Sequence, residues 1–314
     1  MITITRAPPY VTVQDTGRKH SRWSGVPRGG AMDAFALQAL NAIVGNPFEA
    51  AGLEWALGGG TLQFQADCVV AIGGAHAHAT LAGRTMSSFT TYHAHAGDRL
   101  TVEQLVAGRF LYLAFSGGID VPEILGSRST YLPGHFGGFN GRMIVRNDTL
   151  LLGHRQLSAR PEGFTCPPEL LPRYESAAVR ITRGPHSELF DDAAWHILID
   201  SEFAVSTASD RTGYKLKGKP VSDAPANLPS DASCQGAVQI PGDGTPIVLM
   251  ADAPTVGGYP KIAVVAEADL PILAQRSPGT LVRFQLVTIE QSQRALKHRA
   301  SDLYTIGATG AASA

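Results

Sequence analysis

Short apolar or alternating runs, each closed off by Gly, Pro, Asp or Asn, recur along this 314-residue chain and limit what it can fold into. Examples are residues 61–65, 68–72, 99–103, 110–115 and 149–152. A strand exposes alternate side chains to opposite faces, and runs this short, at spacings of roughly 8–12 residues, fit barrels or sandwiches. With 34 Gly and 20 Pro to punctuate them, the runs predict a mainly β chain with a few short helices rather than βαβ units.

Three segments carry helical periodicity. Residues 32–44 place Phe35, Leu37, Leu40, Ile43 and Val44 on one face, with Asp33 as N-cap and Gly45 just past the end. Residues 191–199 and 269–275 are shorter, and the second has Pro271 in its first turn, where a missing N–H does no harm. Between 152 and 178 the pattern breaks down around Pro161, Pro167, Pro168 and Pro172. The expected organisation is an N-terminal lobe at 1–160, a linker at 161–177, a C-terminal lobe at 178–296 and a tail at 297–314. The tail ends in small, unpatterned residues and is expected to fray. Both lobes open with a strand and a helix and close on strands, at 110–115 and 281–287, a layout that points to a duplication.

Charge and composition remove whole classes of function. Lys plus Arg number 26 against 27 Asp plus Glu, and no basic run tracks a phosphate backbone, so nucleic acid is not an expected partner. No apolar stretch approaches the ~18 residues of a membrane span. The start, Met1-Ile2-Thr3-Ile4-Thr5-Arg6, alternates like a strand and lacks an apolar signal core, so the chain is expected in the cytoplasm. Cys68, Cys166 and Cys234 are odd in number and widely separated, which suits a reducing compartment. Cys68 lies in an apolar run and reads as a small buried hydrophobe.

The order of several motifs resembles the KipA family, which includes the C-type component of 5-oxoprolinase and the allophanate hydrolase subunit 2-type half of urea carboxylase. These are Val13-Gln14-Asp15-Thr16-Gly17-Arg18, Gly25-Val26-Pro27, Gly30-Ala31-Met32-Asp33, Asn41, Val44-Gly45-Asn46 and Leu53-Glu54. Further along come Gly117-Gly118-Ile119, Leu125-Gly126-Ser127-Arg128-Ser129-Thr130, Gly137-Gly138 and Gly141-Arg142. The second half adds Ser209-Asp210-Arg211, Gly213-Tyr214, Asp252 and Gly257-Gly258-Tyr259-Pro260. The resemblance implies two cyclophilin-like β-barrel domains and an ATP-driven opening of the 5-oxoproline lactam. It also implies a complex with a KipI-like partner and a LamB/YcsF-type subunit, with ATP and Mg²⁺ acting at the level of that complex. Urea-carboxylase relatives tend to carry His-Pro-Ser and Gly-Gly-Phe where this chain reads Leu228-Pro229-Ser230 and Gly257-Gly258-Tyr259, which favours the oxoprolinase branch. The chain departs from many relatives at Arg28-Gly29-Gly30, where those have Pro and Ser before the Gly-Ala pair.

Phosphorylating a lactam oxygen turns a poor electrophile into one that water attacks. Such chemistry wants cations, a Mg²⁺-binding carboxylate and donors to the developing oxyanion. Catalytic roles fall to Asp210, Arg211, Asp252, Tyr259 and Lys261. Asp15, Arg18, Ser127, Arg128, Gly257 and Gly258 are the expected contacts to substrate or ATP. Each has a structural alternative: a buried pair for Asp15 with Arg18, an internal ion pair for Asp210 with Arg211, backbone ties for 127–130, a packed turn around Tyr259. Lys261→Ala and Asp252→Ala are expected to keep the fold and abolish turnover.

Other motifs carry less. His76/His78 and His93/His95 alternate on strands without a carboxylate or Cys at ligand spacing, so a solvated face is expected and no metal site. Gly58-Gly59-Gly60 lacks the Gly-Lys-Ser/Thr of a phosphate loop and reads as a hairpin turn. Ala31-Met32-Asp33 has Asp where a biotinyl-lysine would stand, so no covalent biotin is expected on this chain. Two alternative functions follow: a carboxyltransferase subunit of a biotin-dependent urea or amide carboxylase, and a non-enzymatic KipA-type regulator that binds a kinase inhibitor. Self-association into a homo-oligomer is a further possibility.

Overall fold

The computed structural model describes residues 1–154, 161–176, 178–221 and 228–312. The expected limits at 160, 177 and 314 lie outside those residues. The chain forms two compact units: one comprises 1–19, 29–171 and 300–314, the other 20–28 and 172–299. It is mainly β, as the run spacing predicts, with four α-helices among the described residues and barrel-like sheets.

Unit 1 is built from β1 (Ile2–Arg6), β2 (Tyr10–Gln14), α1 (Ala34–Ile43), β3 (Gly52–Ala56), β4 (Gly60–Phe64) and β5 (Cys68–Leu81). It continues with β6 (Arg84–Thr85), β7 (Thr91–Ala94), β8 (Arg99–Phe115), β9 (Ile119–Asp120) and β10 (Thr149–Leu152). The sheet runs β2-β3-β8-β4-β1-β10-β9, and β5 pairs with β6, β7 and β8. Alternation in β1 and β4 sends Ile2, Ile4, Leu62 and Phe64 into a core shared with Trp55, Leu113 and Phe115, all fully buried. Asp33 caps α1 through its carboxylate, which accepts from the Ala36 amide at 2.9 Å, and Gly45 follows the helix with φ 81°.

Two expectations are corrected here. The runs 99–103 and 110–115 are one strand, β8, because the residues between them extend antiparallel to β5 through bulges at His76 and His78. Gly58-Gly59-Gly60 is not a hairpin turn: β3 pairs with the Leu111–Leu113 end of β8 and β4 with its Arg99–Val102 end. The glycines let the link pass close over β8, where a Cβ on Gly59 would sit 2.6 Å from the Val102 carbonyl oxygen.

Unit 2 is a closed barrel ordered β11-β18-β15-β16-β13-β12-β19, with a separate ribbon of β14 and β17. Its strands are β11 (Ala178–Arg183), β12 (Phe203–Val205), β13 (Gly213–Lys217), β14 (Asp231–Ala232), β15 (Ala237–Gln239), β16 (Ile247–Leu249), β17 (Val256–Gly257), β18 (Lys261–Val265) and β19 (Leu281–Leu286). Helix α2 (Asp192–Asp200) is capped by Asp191, and α3 (Leu270–Ala274) carries Pro271 in its first turn, both near the expected positions.

Helix α4 (Ile289–Ala312) overturns the frayed tail. Its Leu303 and Ile306 are buried within unit 1, and Tyr304 meets Phe48 edge-on at 5.7 Å. Apolar residues are too sparse along this helix to mark a face by periodicity, and docking of a few of them holds it. Residues 161–166 also pack onto unit 1 instead of hanging between lobes: Thr91 Oγ1 donates to the Pro161 carbonyl at 2.7 Å and Cys166 is buried.

Candidate functional site

In unit 1 the end of β2 meets the 127–130 loop. The Asp15 carboxylate accepts from the Gly17 amide at 2.7 Å, from Ser127 Oγ at 2.7 Å, from Ser129 Oγ, and from the Arg128 amide at 2.6 Å. Two hydroxyls and two amides, rather than the Arg18 guanidinium, thus hold this 7 % exposed charge. Arg18 is itself buried, donates to the Ser129 carbonyl and lies 4.8 Å over the Phe136 ring. Gly17 and Gly30 both have φ near 85°, and a Cβ on Gly30 would stand 2.7 Å from the Gly17 amide nitrogen, so the loop closes only with glycine there.

This loop borders a cleft of about 430 Å³, whose wall includes Asp15, Lys19, Asn46, Asp120, Glu123, Arg128 and His154. Asn46 shapes the wall, donating to the Phe115 carbonyl and accepting from the Gly117 amide, each at 2.8 Å. Arg128 is turned to the surface, where it pairs with Glu123 at 2.7 Å. Beneath lies a buried network: Tyr112 Oη donates to Glu54 Oε2 at 2.8 Å and accepts from the Asp33 amide at 2.8 Å, while the Met32 amide donates to the same Glu54 oxygen. Burial, then the neighbouring Glu54 and Asp33 charges, pushes the Tyr112 hydroxyl well above the ordinary phenol value.

In unit 2, Asp210 and Arg211 turn apart. Asp210 Oδ1 accepts from the Thr212 amide at 2.8 Å and the Gly213 amide at 3.3 Å, which shapes the turn into β13. Arg211 forms a two-point pair with Asp252 at 2.8 and 2.9 Å, and both are buried. The ion pair offered as the structural alternative for Asp210 with Arg211 is therefore replaced by Arg211 with Asp252.

Lys261 opens β18 and is 2 % exposed, a rare location for an ammonium group. Its Nζ donates to Asp231 Oδ2 at 3.3 Å. Its backbone amide donates to His186 Nδ1 at 3.1 Å, which leaves the ring proton on Nε2, 3.9 Å from the same Asp231 oxygen. The Ala232 amide first, and then Lys261, holds the Asp231 carboxyl below the usual carboxylate range. Asp231 sits opposite Gly257 in the two-stranded ribbon, and a Cβ on Gly258 would lie 3.2 Å from the Leu228 carbonyl oxygen. Tyr259 is half exposed at 51 %. Sequence reasoning missed Asp231, His186, Ser233 and Gln239; Asp231 stands in a two-residue strand too short to show alternation.

The Asp15 and Asp252 carboxylates are both engaged within the protein. All the donors around Asp15 point at its oxygens, and both Asp252 oxygens accept from Arg211. Among the described residues no group of three His, Cys, Asp or Glu is arranged to hold a metal. His76 and His78 are exposed on β5 with ring centroids 6.5 Å apart. Cys68 is buried as expected, and burial pushes the Cys166 thiol up to about 12. No helix among the described residues is long and apolar enough to cross a membrane.

Residues 24–286 match the carboxyltransferase domain family, subdomains A and B. The chain belongs to this family. Within it, the chain is 38 % identical over 299 residues to the C-type component of 5-oxoprolinase from Escherichia coli K12, covering 94 % of both chains. The corresponding 5-oxoprolinase component of Haemophilus influenzae is 33 % identical over 305 residues, covering 97 % of this chain and 96 % of that one. Among solved structures, the urea carboxylase of Kluyveromyces lactis superposes with a TM-score of 0.89 at 29 % identity, covering 97 % of this chain but 29 % of that chain. Carboxyltransferase-domain architecture thus spans nearly the whole chain.

Proposed function

We propose that this carboxyltransferase-domain chain is the C-type component of an ATP-dependent 5-oxoprolinase, which opens 5-oxo-L-proline to L-glutamate. The observation that carries the reading is the end-to-end match to the Escherichia coli 5-oxoprolinase component, with 94 % of each chain aligned. A KipI-like and a LamB/YcsF-like subunit complete the assembly, and the lone chain is inactive. ATP and Mg²⁺ act at the level of the assembly.

The side chains of unit 2 carry the substrate-facing roles in this reading. Lys261 supplies a desolvated cation, with donors stronger there than in water. Arg211 and Asp252 fix the loop that precedes β13, and Tyr259 offers an accessible hydroxyl. In unit 1, the Asp15 cradle orders the 127–130 loop at the wall of the cleft, which Lys19 and Arg128 line together with Glu49, Asp120 and Glu123.

The likeness to urea carboxylase favours one further reading, a carboxyltransferase subunit that passes a carboxyl group from carboxybiotin to a small amide. ATP hydrolysis by the reconstituted assembly separates the two. Stimulation by 5-oxo-L-proline, without bicarbonate or a biotinylated carrier, is the oxoprolinase result. A strict need for bicarbonate and carrier, with urea or another amide as acceptor, is the carboxyltransferase result and overturns the proposal.

A further inference from the structure

The ribbon of β14 and β17 lies against a buried hydroxyl that the described residues leave without a partner. Gln239 and Lys261 are direct partners across β15 and β18, so their side chains share one face of the barrel. Both are buried, at 4 % and 2 % exposure. Ser233, just after β14, is equally buried, and its Oγ has no hydrogen-bond partner among the described residues. A buried hydroxyl left in that state is a cost that a folded protein ordinarily removes.

Ser233 and Gln239 come together where the ribbon lacks a side chain. A methyl placed on Gly257 would stand 3.1 Å from Gln239 Nε2 and 3.2 Å from Ser233 Oγ. Opposite Gly257 in the ribbon is Asp231, whose carboxylate already reaches Lys261 Nζ at 3.3 Å. A carboxylate oxygen is therefore a group that fits this ammonium. One cation with two neutral donors suits a single negative charge better than a polyphosphate, which calls for several cations.

We propose that Lys261, Ser233 and Gln239 form a carboxylate-binding subsite, and, resting on the oxoprolinase reading, that it takes the ring carboxylate of 5-oxo-L-proline. The substrate carboxylate takes a place beside Asp231 on Lys261 and gives the Ser233 hydroxyl and the Gln239 amide an acceptor. Recognition there holds the lactam by its non-reacting end and makes the assembly selective for an acidic lactam over a neutral one.

The test uses the reconstituted assembly with two probes, 5-oxo-L-proline and 2-pyrrolidinone, the same ring without the carboxylate. Affinity is read by ligand-observed NMR and turnover by product release, for wild type, Ser233→Ala and Gln239→Leu. The expected result is a wild-type preference for 5-oxo-L-proline that shrinks about tenfold in each variant, through weaker binding of the acid alone. Equal loss of both ligands marks a structural role and overturns the subsite, as does wild-type binding that ignores the carboxylate. Glutamate release with unchanged preference in the variants overturns the subsite and leaves the oxoprolinase reading intact. Carboxylate-dependent binding that the variants weaken, without glutamate release, supports the subsite and overturns the oxoprolinase reading.

Discussion

The Arg211 guanidinium and the Asp252 carboxylate meet at two points, 2.8 and 2.9 Å apart, while the Asp252 amide donates to the Arg211 carbonyl at 2.9 Å. Side chain and backbone thus tie the loop before β13 to the segment after β16, with both charges out of water.

Removing one partner strands the other, which changes what is expected of Asp252→Ala. That variant, and Arg211→Ala, should each lose about 3–5 kcal/mol of stability in chemical denaturation. The double change Arg211→Met with Asp252→Leu should recover most of it, since an apolar pair needs no compensation. Single variants with wild-type stability would show that the pair does not hold the loop.

The Asp15 cradle makes a parallel prediction in unit 1. Ser127→Ala removes one hydroxyl donor and should cost about 1 kcal/mol, whereas Asp15→Asn weakens charge-assisted bonds and should cost about 2 kcal/mol. Thermal unfolding of unit 1 measures both. A larger effect from Ser127→Ala than from Asp15→Asn would contradict the assignment of the carboxylate as the hub.

Much of this fold is legible in residue order because local signals agree with the final structure. Asp33 and Gly45 mark the ends of α1, and the alternation of β1 and β4 marks their inward faces. The long pairing of β5 with β8 is not, because nothing in residues 103–109 distinguishes an extended arm from a loop; the bulges that keep it in register depend on the partner strand. Helix α4 fails for a related reason, as its docking residues Leu303 and Ile306 are isolated among polar and small neighbours. At the site, the residue types are legible and the pairings are not. Arg211 lies next to Asp210 in sequence but bonds Asp252, and Lys261 bonds Asp231, thirty residues away, through a ribbon only two residues per strand.

Asp148 gives a pH-dependent prediction. Arg142 holds its carboxyl below the usual carboxylate range through bonds of 2.6 and 2.8 Å, and the Val145 amide adds a third. A depressed folded value means that the contribution is complete above the unfolded Asp value of ~3.9 and is lost as pH falls through the folded one. Wild type should therefore lose more stability than Asp148→Asn on going below pH ~4. Parallel pH profiles for the two proteins would remove this pair from the acid response.

Tyr112 tests the other end of the scale. Its hydroxyl, raised by burial and by Glu54, should stay protonated through the range near ~10 in which ordinary tyrosines titrate. Because the folded value is raised, the stabilisation is present below ~10 and disappears as pH climbs towards the folded value. In an ultraviolet titration, Tyr112 should ionise only with alkaline unfolding, and Tyr112→Phe should lower the amplitude of that late phase by one tyrosine. An unchanged amplitude in Tyr112→Phe would contradict the assignment.

Glutamate release decides whether this chain is an obligatory part of a lactam-opening assembly. The complete assembly with 5-oxo-L-proline, ATP and Mg²⁺ is compared with the chain alone and with the assembly lacking it. Glutamate is expected only from the complete mixture, with ADP formed alongside. Undiminished release without this chain, or none from the complete mixture once partner binding is verified, would contradict it.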